Sequence, residues 1–203
     1  QPILLTHDSR ILNFVVDQKT GLVATSAEDG LLKLWNPDSL KLERVLTVEK
    51  DPILNGNAWF MALDREAKFL GTFLNKSPWN SLSFKLWSWP ELDLIKHYDL
   101  PPDTSLTAFS SNGNQFAYSN LETFRLSIFD IDSDKITHTI ADHGDQIFGI
   151  NYSRDGKYLA TACLDGYARV YSTKNFDIVG GPFPFGFSYG AMVDFSVDSK
   201  YLL

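Results

Sequence analysis

The feature that most constrains this chain is a phrase that returns at nearly even intervals. Residues 147–161 read IFGINYSRDGKYLAT: apolar and polar side chains alternate, break at Asp155-Gly156, and alternate again. Alternation marks a strand with one buried face, and Asp-Gly between two such runs marks a tight turn. The phrase recurs as TAFSSNGNQFA at 107–117 and as VDFSVDSKYL at 193–202, with weaker copies whose first strand ends at Val16 and Leu63. The last apolar residues of these first strands are Val16, Leu63, Phe109, Tyr152 and Phe195, spaced by 47, 46, 43 and 43 residues. A second marker, an aromatic closing the third strand, falls at Trp35, Trp87, Phe129 and Tyr171, spaced by 52, 42 and 42. Two independent markers keep one period.

Each interval has room for four short strands and their turns, and no window carries a helical stripe. A four-stranded unit repeating every ~40–45 residues predicts an all-β propeller. One such sheet has two apolar faces and cannot bury them alone, so successive units must stack. The composition agrees. Apolar residues are 44%, charged residues 21% and aromatics 14% of the 203 residues, a balance that excludes disorder. No apolar run approaches the ~18–20 residues of a membrane span, so no membrane insertion is expected. A count of 18 basic against 25 acidic residues disfavours nucleic acid as a partner. A lone cysteine, Cys163, with no visible leader, predicts a cytoplasmic or nuclear setting.

The details resemble the WD40 (β-transducin-type) repeat family. The first unit carries Thr6-His7, then VATSAEDG at 23–30, then LKLWN at 32–36; the fourth carries Asp142-His143, LATACLDG at 159–166 and ARVYS at 168–172. In both, the aspartate follows the histidine by 22 residues and the aromatic follows it by 28. The resemblance implies a WD40 β-propeller with about four complete four-stranded blades plus part of a fifth. Its parts would be 1–6 (outer strand of a preceding blade), 7–50, 51–100, 101–141, 142–182 and 183–203 (the start of blade five). Seven such blades need ~300 residues at this period. The chain is therefore expected to be a portion of a larger ring, completed by the same chain or a partner chain.

The family's buried tetrad would map to His7, Thr25, Asp29 and Trp35 in blade one, and to His143, Thr161, Asp165 and Tyr171 in blade four. Aspartate bonds histidine, histidine bonds the hydroxyl, and the hydroxyl bonds an indole N–H, so every buried polar group has a partner. Tyr171 has no indole to donate. Leu54 and Pro102 stand near the histidine positions of blades two and three, where packing is expected to dominate. Glu122 stands where blade three would need the aspartate.

Other groups read as structural. Gly186 to Gly190 (GFSYG) matches a hydrolase nucleophile elbow at Ser188, but that motif needs a helix after the serine. Residues 191–197 alternate like a strand instead, and no histidine follows Ser188. His7 and His143 lie a repeat apart and should not converge on a metal. His97 and His138 fall on outer strands. Cys163 has no flanking cation to activate it. Asp142 and Asp145 read as a solvated turn, and the Asn151-Tyr152-Ser153 acceptor pattern lies inside a strand. No cofactor and no metal is expected.

Two segments look less like scaffold: the blade-two insertion at 75–81, which holds Trp79, and the aromatic, Gly/Pro-rich segment at 180–189. The second is read as a loop between blades. By resemblance, both would rim the face where the family docks partners. The family's contact positions map to Arg10 and Glu28 in blade one, Gln146 and Leu164 in blade four, and by the repeat offset to Asn57, Asp103 and Tyr189. The expected function is a non-catalytic scaffold that binds protein or peptide partners on that face. The alternatives are an architectural subunit that uses its blade edges and, less favoured, a propeller hydrolase.

Overall fold

A computed structural model describes residues 6–48, 58–76, 81–186 and 192–203. Among the described residues all regular structure is strand. The first sheet holds β1 (Ile11–Val16), β2 (Val23–Ala27), β3 (Leu31–Asn36) and β4 (Lys41–Thr47), and the second β5 (Ala58–Leu63), β6 (Phe69–Lys76), β7 (Ser81–Ser88) and β8 (Leu94–Asp99). The third holds β9 (Thr104–Phe109), β10 (Gln115–Asn120), β11 (Leu126–Asp130) and β12 (Lys135–Ile140), and the fourth β13 (Ile147–Tyr152), β14 (Tyr158–Cys163), β15 (Tyr167–Ser172) and β16 (Ile178–Pro184). Each is a four-stranded antiparallel meander, the form of a propeller blade.

Strands β1, β5, β9 and β13 end at Val16, Leu63, Phe109 and Tyr152. The third-strand aromatics occupy one register: Trp35 faces Val23, Trp87 faces Leu70, Phe129 faces Phe116 and Tyr171 faces Leu159. The pairing of each third strand with its fourth slips beside that aromatic, between Leu34 and Trp35, Leu86 and Trp87, Ile128 and Phe129, and Val170 and Tyr171. Such a slip bends the strand and raises its twist.

The chain divides into two compact units, 1–102 and 103–203. In the first, Ala24, Leu32 and Leu34 of blade one share a buried cluster with Met61, Leu70, Leu74 and Trp87 of blade two. Each sheet thus supplies the cover its neighbour needs. The seam is closed by polar links. Trp89 Nε1 donates to the buried Asp17 carboxylate at 3.1 Å, Lys19 Nζ reaches Glu66 at 3.0 Å, and Arg44 Nη1 reaches the Glu91 carbonyl at 2.8 Å. Within blade two, Phe73 packs on Phe84 with centroids 4.8 Å apart.

In the second unit Ala108, Ala117, Leu126 and Ile128 of blade three pack with Tyr152, Leu159 and Tyr171 of blade four. A smaller cluster covers blade four's other face: Ala160 and Ala162 with Val193, Phe195 and Leu202. Asn151 Nδ2 donates to Asp194 across that seam at 2.8 Å.

One expectation fails here. The Gly/Pro-rich segment from Gly180 is not a loop: through Pro184 it belongs to β16, the outer strand of blade four. Gly181 sits at φ +95°, and a Cβ there would stand 2.7 Å from the Ala168 carbonyl oxygen, so only glycine lets this strand run so close to β15. Pro182 and Pro184 are tolerated because an outermost strand has a side that pairs with nothing. Residues 191–197 were expected as a strand. Of the described residues there, 194–196 pair antiparallel with 201–203: Asp194 and Leu203 exchange both backbone bonds at 3.2 and 2.8 Å, the Ser196 amide donates to the Tyr201 carbonyl at 2.9 Å, and Phe195 bridges Leu202.

No helix among the described residues is long and apolar enough to cross a membrane.

Candidate functional site

The loop end of each blade is where a first strand begins and a second strand turns into a third. In blade one that turn is Glu28-Asp29-Gly30, with Gly30 at φ +75°, the left-handed conformation that glycine accepts without strain. Asp29 Oδ1 accepts the Leu31 amide at 2.9 Å, which aims Oδ2 at His7 Nδ1, also 2.9 Å away. His7 Nε2 stands 2.7 Å from Thr25 Oγ1, and the Trp35 indole donates to that same oxygen at 2.8 Å. The carboxylate assigns the proton to Nδ1. Nε2 then accepts from the threonine hydroxyl, whose oxygen accepts from the indole. Burial raises the Asp29 pKa, but the Leu31 amide and His7 outweigh it and hold the carboxyl below its ordinary value.

Blade four brings together the corresponding residues and links them differently. His143 Nε2 lies 2.9 Å from Thr161 Oγ1 and 3.3 Å from the Tyr171 hydroxyl. Asp165, however, does not bond His143. Its two oxygens take Arg169, at 2.7 and 3.2 Å, and Oδ2 also accepts the Gly144 amide at 2.9 Å. Burial raises the Asp165 pKa; Arg169 and the Gly144 amide more than reverse this and bring it down to about 2. Burial drives His143 the other way for a base, down to about 4, with Asp142 opposing and Arg169 assisting. Asp142 is no idle turn acid, as the sequence suggested, for it accepts the Tyr171 hydroxyl at 2.8 Å. A phenol reaches farther than an indole N–H and finds its acceptor in the loop.

Blade two keeps half of the pattern. The Trp87 indole donates to the buried Thr72 hydroxyl at 2.9 Å. Sequence reasoning missed this pair, although Thr72 and Trp87 are separated by a strand, a turn and a strand, as Thr25 and Trp35 are. The insertion at 75–81 hid the spacing. In blade three, Tyr118 stands at the threonine register and Ser127 opposite it, with Phe116 stacked on Phe129 at 4.9 Å. Glu122 lies exposed in the β10–β11 turn. A second recurrent position, unforeseen, lies opposite the threonines: Lys33, Lys85 and Arg169. Lys33 donates to the Thr6 carbonyl and Lys85 to the Val48 carbonyl, both at 2.9 Å.

The proposed contact positions fall around these links. The Arg10 guanidinium meets Glu28 at 2.6 Å, and both side chains are solvent-exposed, 68% and 41%. Their backbones are joined as well, Glu28 N–H to the Arg10 carbonyl at 3.0 Å. Blade four repeats that bond: Leu164 N–H donates to the Gln146 carbonyl at 2.8 Å, with both side chains half-buried. Asp103, at φ +61°, accepts the Leu121 amide through its carbonyl at 2.8 Å. Asn57, Trp79, Ser188 and Tyr189 lie outside the described residues. The Cys163 thiol is buried, donates to the Asp145 carbonyl at 3.1 Å, and is pushed up in pKa by burial. His97 and His138 are exposed on β8 and β12.

Residues 134–172 match the family described as WD domain, G-beta repeat. That stretch runs from β12 of blade three through β15 of blade four, so the sequence repeat joins one blade's outer strand to the next blade's first three. Over those residues the chain carries one WD40 repeat. It is similar to Coronin-7 of Bos taurus, 44% identical over 63 residues, which is 30% of this chain and 7% of that protein. It is similar over more of its length to Autophagy-related protein 16 of Arabidopsis thaliana, 26% identical over 172 residues, 81% of this chain and 30% of that protein. WD repeat-containing protein 91 homolog of Dictyostelium discoideum is 24% identical over 189 residues, 89% of this chain and 23% of that protein. The chain thus spans less than a third of each of these relatives.

Proposed function

We propose that these blades form a non-catalytic scaffold that binds protein or peptide partners through blade loop ends, with Arg10 and Glu28 in the first unit and Gln146 and Leu164 in the second. The observation that carries this reading is the pair formed by Arg10 and Glu28. Two exposed, opposite charges are held at 2.6 Å by loops whose backbones are themselves hydrogen-bonded, and those loops rest on the His7–Asp29–Thr25–Trp35 chain. An exposed ion pair adds ~0–1 kcal/mol of stability, so its presence on a rigid turn suits recognition better than folding. Loops set on a rigid framework are a common location for binding residues. A cytoplasmic or nuclear setting fits the lone, buried thiol.

The experiment is selection of a displayed random-peptide library on the immobilised chain, repeated with Arg10→Ala and Glu28→Ala. Peptides enriched on the wild type should lose binding to both variants while the thermal melts coincide. Peptides retained by both variants would move the docking site elsewhere. Use of blade edges by an architectural subunit is favoured by a separate observation: Phe14 is 65% exposed on β1, beside Ile11 and Val16 at 39% each. In that case, Phe14→Glu, not Arg10→Ala, abolishes association.

A further inference from the structure

Blades one and four begin from one residue pattern and end with different wiring. In blade one the aspartate of the turn is delivered to His7 Nδ1 at 2.9 Å. In blade four Asp165 is taken by Arg169, and His143 Nδ1 is left without a hydrogen-bond partner in a side chain that is 0% exposed. The Asp142 carboxylate is 3.4 Å from that nitrogen but is engaged by the Tyr171 hydroxyl at 2.8 Å. A buried polar atom without a partner is rare and calls for a reason.

The reason is one side chain. At this register blade one has Lys33, which reaches past Asp29 to the Thr6 carbonyl at 2.9 Å. Arginine presents two parallel N–H groups in a planar fork that matches both oxygens of a carboxylate, whereas an ammonium is a point charge. Arg169, 8% exposed, therefore captures both oxygens of Asp165.

We propose that Arg169 is a lock that withholds Asp165 from His143, and that protonation of the stranded imidazole loosens the His143–Gln146 turn, making the loop end of blade four an acid-sensitive element. The groups facing the imidazole are Asp142 on its own segment, Asp165 in the β14–β15 turn, and Arg169 and Tyr171 on β15. Asp145 and Cys163 tie the same turn to the end of β14. A second proton makes both ring nitrogens donors. Thr161 can turn to accept at Nε2, but Nδ1 gains an acceptor only if a carboxylate moves. Moving Asp165 breaks its bonds to Gly144 and Arg169; moving Asp142 breaks its bond to Tyr171. Burial places the event below the ordinary imidazole range, at about 4. Stability is therefore full above pH ~6.5, the unfolded value, and is lost as pH falls toward 4.

The test is an NMR titration of the histidine ring protons in the intact chain, with hydrogen exchange read at Gly144. In the wild type His143 should titrate at least about one pH unit below 6.5, and Gly144 exchange, corrected for its intrinsic rate, should speed up over that window. Arg169→Met frees Asp165 and should raise the His143 midpoint by about one unit or more, a tenfold change in proton affinity. Arg169→Lys keeps the charge and the stem while removing the fork, and should shift the midpoint in the same direction. If the methionine variant does not fold, the lysine variant decides. A wild-type midpoint at 6.5 or above, or an unmoved midpoint in the folded variants, overturns the proposal.

Discussion

Thr25→Val removes one oxygen from the middle of blade one and keeps the shape of the side chain. That oxygen serves two groups, His7 Nε2 at 2.7 Å and the Trp35 indole at 2.8 Å, and Thr25 itself is 1% exposed. The His7 side chain is 0% exposed, so water cannot replace the lost bond there, whereas half-buried Trp35 recovers part of its loss. An unpaired buried group costs ~1–3 kcal/mol, which puts the variant about 2–4 kcal/mol below the wild type. The readout is selective, since all five tryptophans (35, 59, 79, 87 and 89) lie in the unit formed by residues 1–102. Urea unfolding followed by tryptophan emission therefore reports blades one and two. With a slope of ~1–3 kcal/mol per molar urea, the midpoint should fall by about 1–2 M. Thr72→Val removes the partner of the Trp87 indole in a blade whose sequence lacks the histidine, and should cost about half as much. Thr25→Val/Trp35→Phe should cost less than the sum of its single changes, because the indole is no longer left unpaired. Equal shifts for Thr25→Val and Thr72→Val, or a shift of Thr25→Val within experimental error, would refute the idea that the hydroxyl is the shared hub.

Acid should weaken the second unit in two steps. The depressed His143 pKa withdraws up to about 3 kcal/mol between pH 6.5 and 4, at ~1.4 kcal/mol per unit. The lowered Asp165 pKa stabilises above ~3.8 and is lost only as pH falls toward 2; urea midpoints read by tyrosine absorbance check both. Asp17→Asn should destabilise the first unit by ~1–3 kcal/mol, because the buried carboxylate accepts the Lys19 amide, the Thr20 hydroxyl and the Trp89 indole; the loss should appear as a lower tryptophan-detected midpoint. Gly166→Ala meets nothing within 4 Å of the added carbon but is held at φ +88°, so a thermal melt should show a pure backbone cost of ~1–2 kcal/mol. Phe116→Ala, at 0% exposure against Phe129, should cost ~3–5 kcal/mol in the tyrosine-detected transition.

Period and pleat were determined by the sequence alone. A strand turns its side chains over every second residue, so the spacing from Val16 to Leu63, Phe109 and Tyr152 settled where the first strands end, and that from Trp35 to Phe129 and Tyr171 which aromatic each third strand carries. The blade-one chain from Asp29 to Trp35 was legible for the same reason, since each member sits at a fixed place in that repeat. Competition between neighbours was decided only by the tertiary structure. His143 and Asp165 share a pattern with His7 and Asp29, but a carboxylate goes to whichever donor fits it best in space, and a planar guanidinium from the adjacent strand outbids an imidazole. The strand running through Gly180, Gly181, Pro182 and Pro184 was hidden likewise: those residues break isolated strands, and only an outer edge lying close against β15 makes glycine necessary and proline harmless.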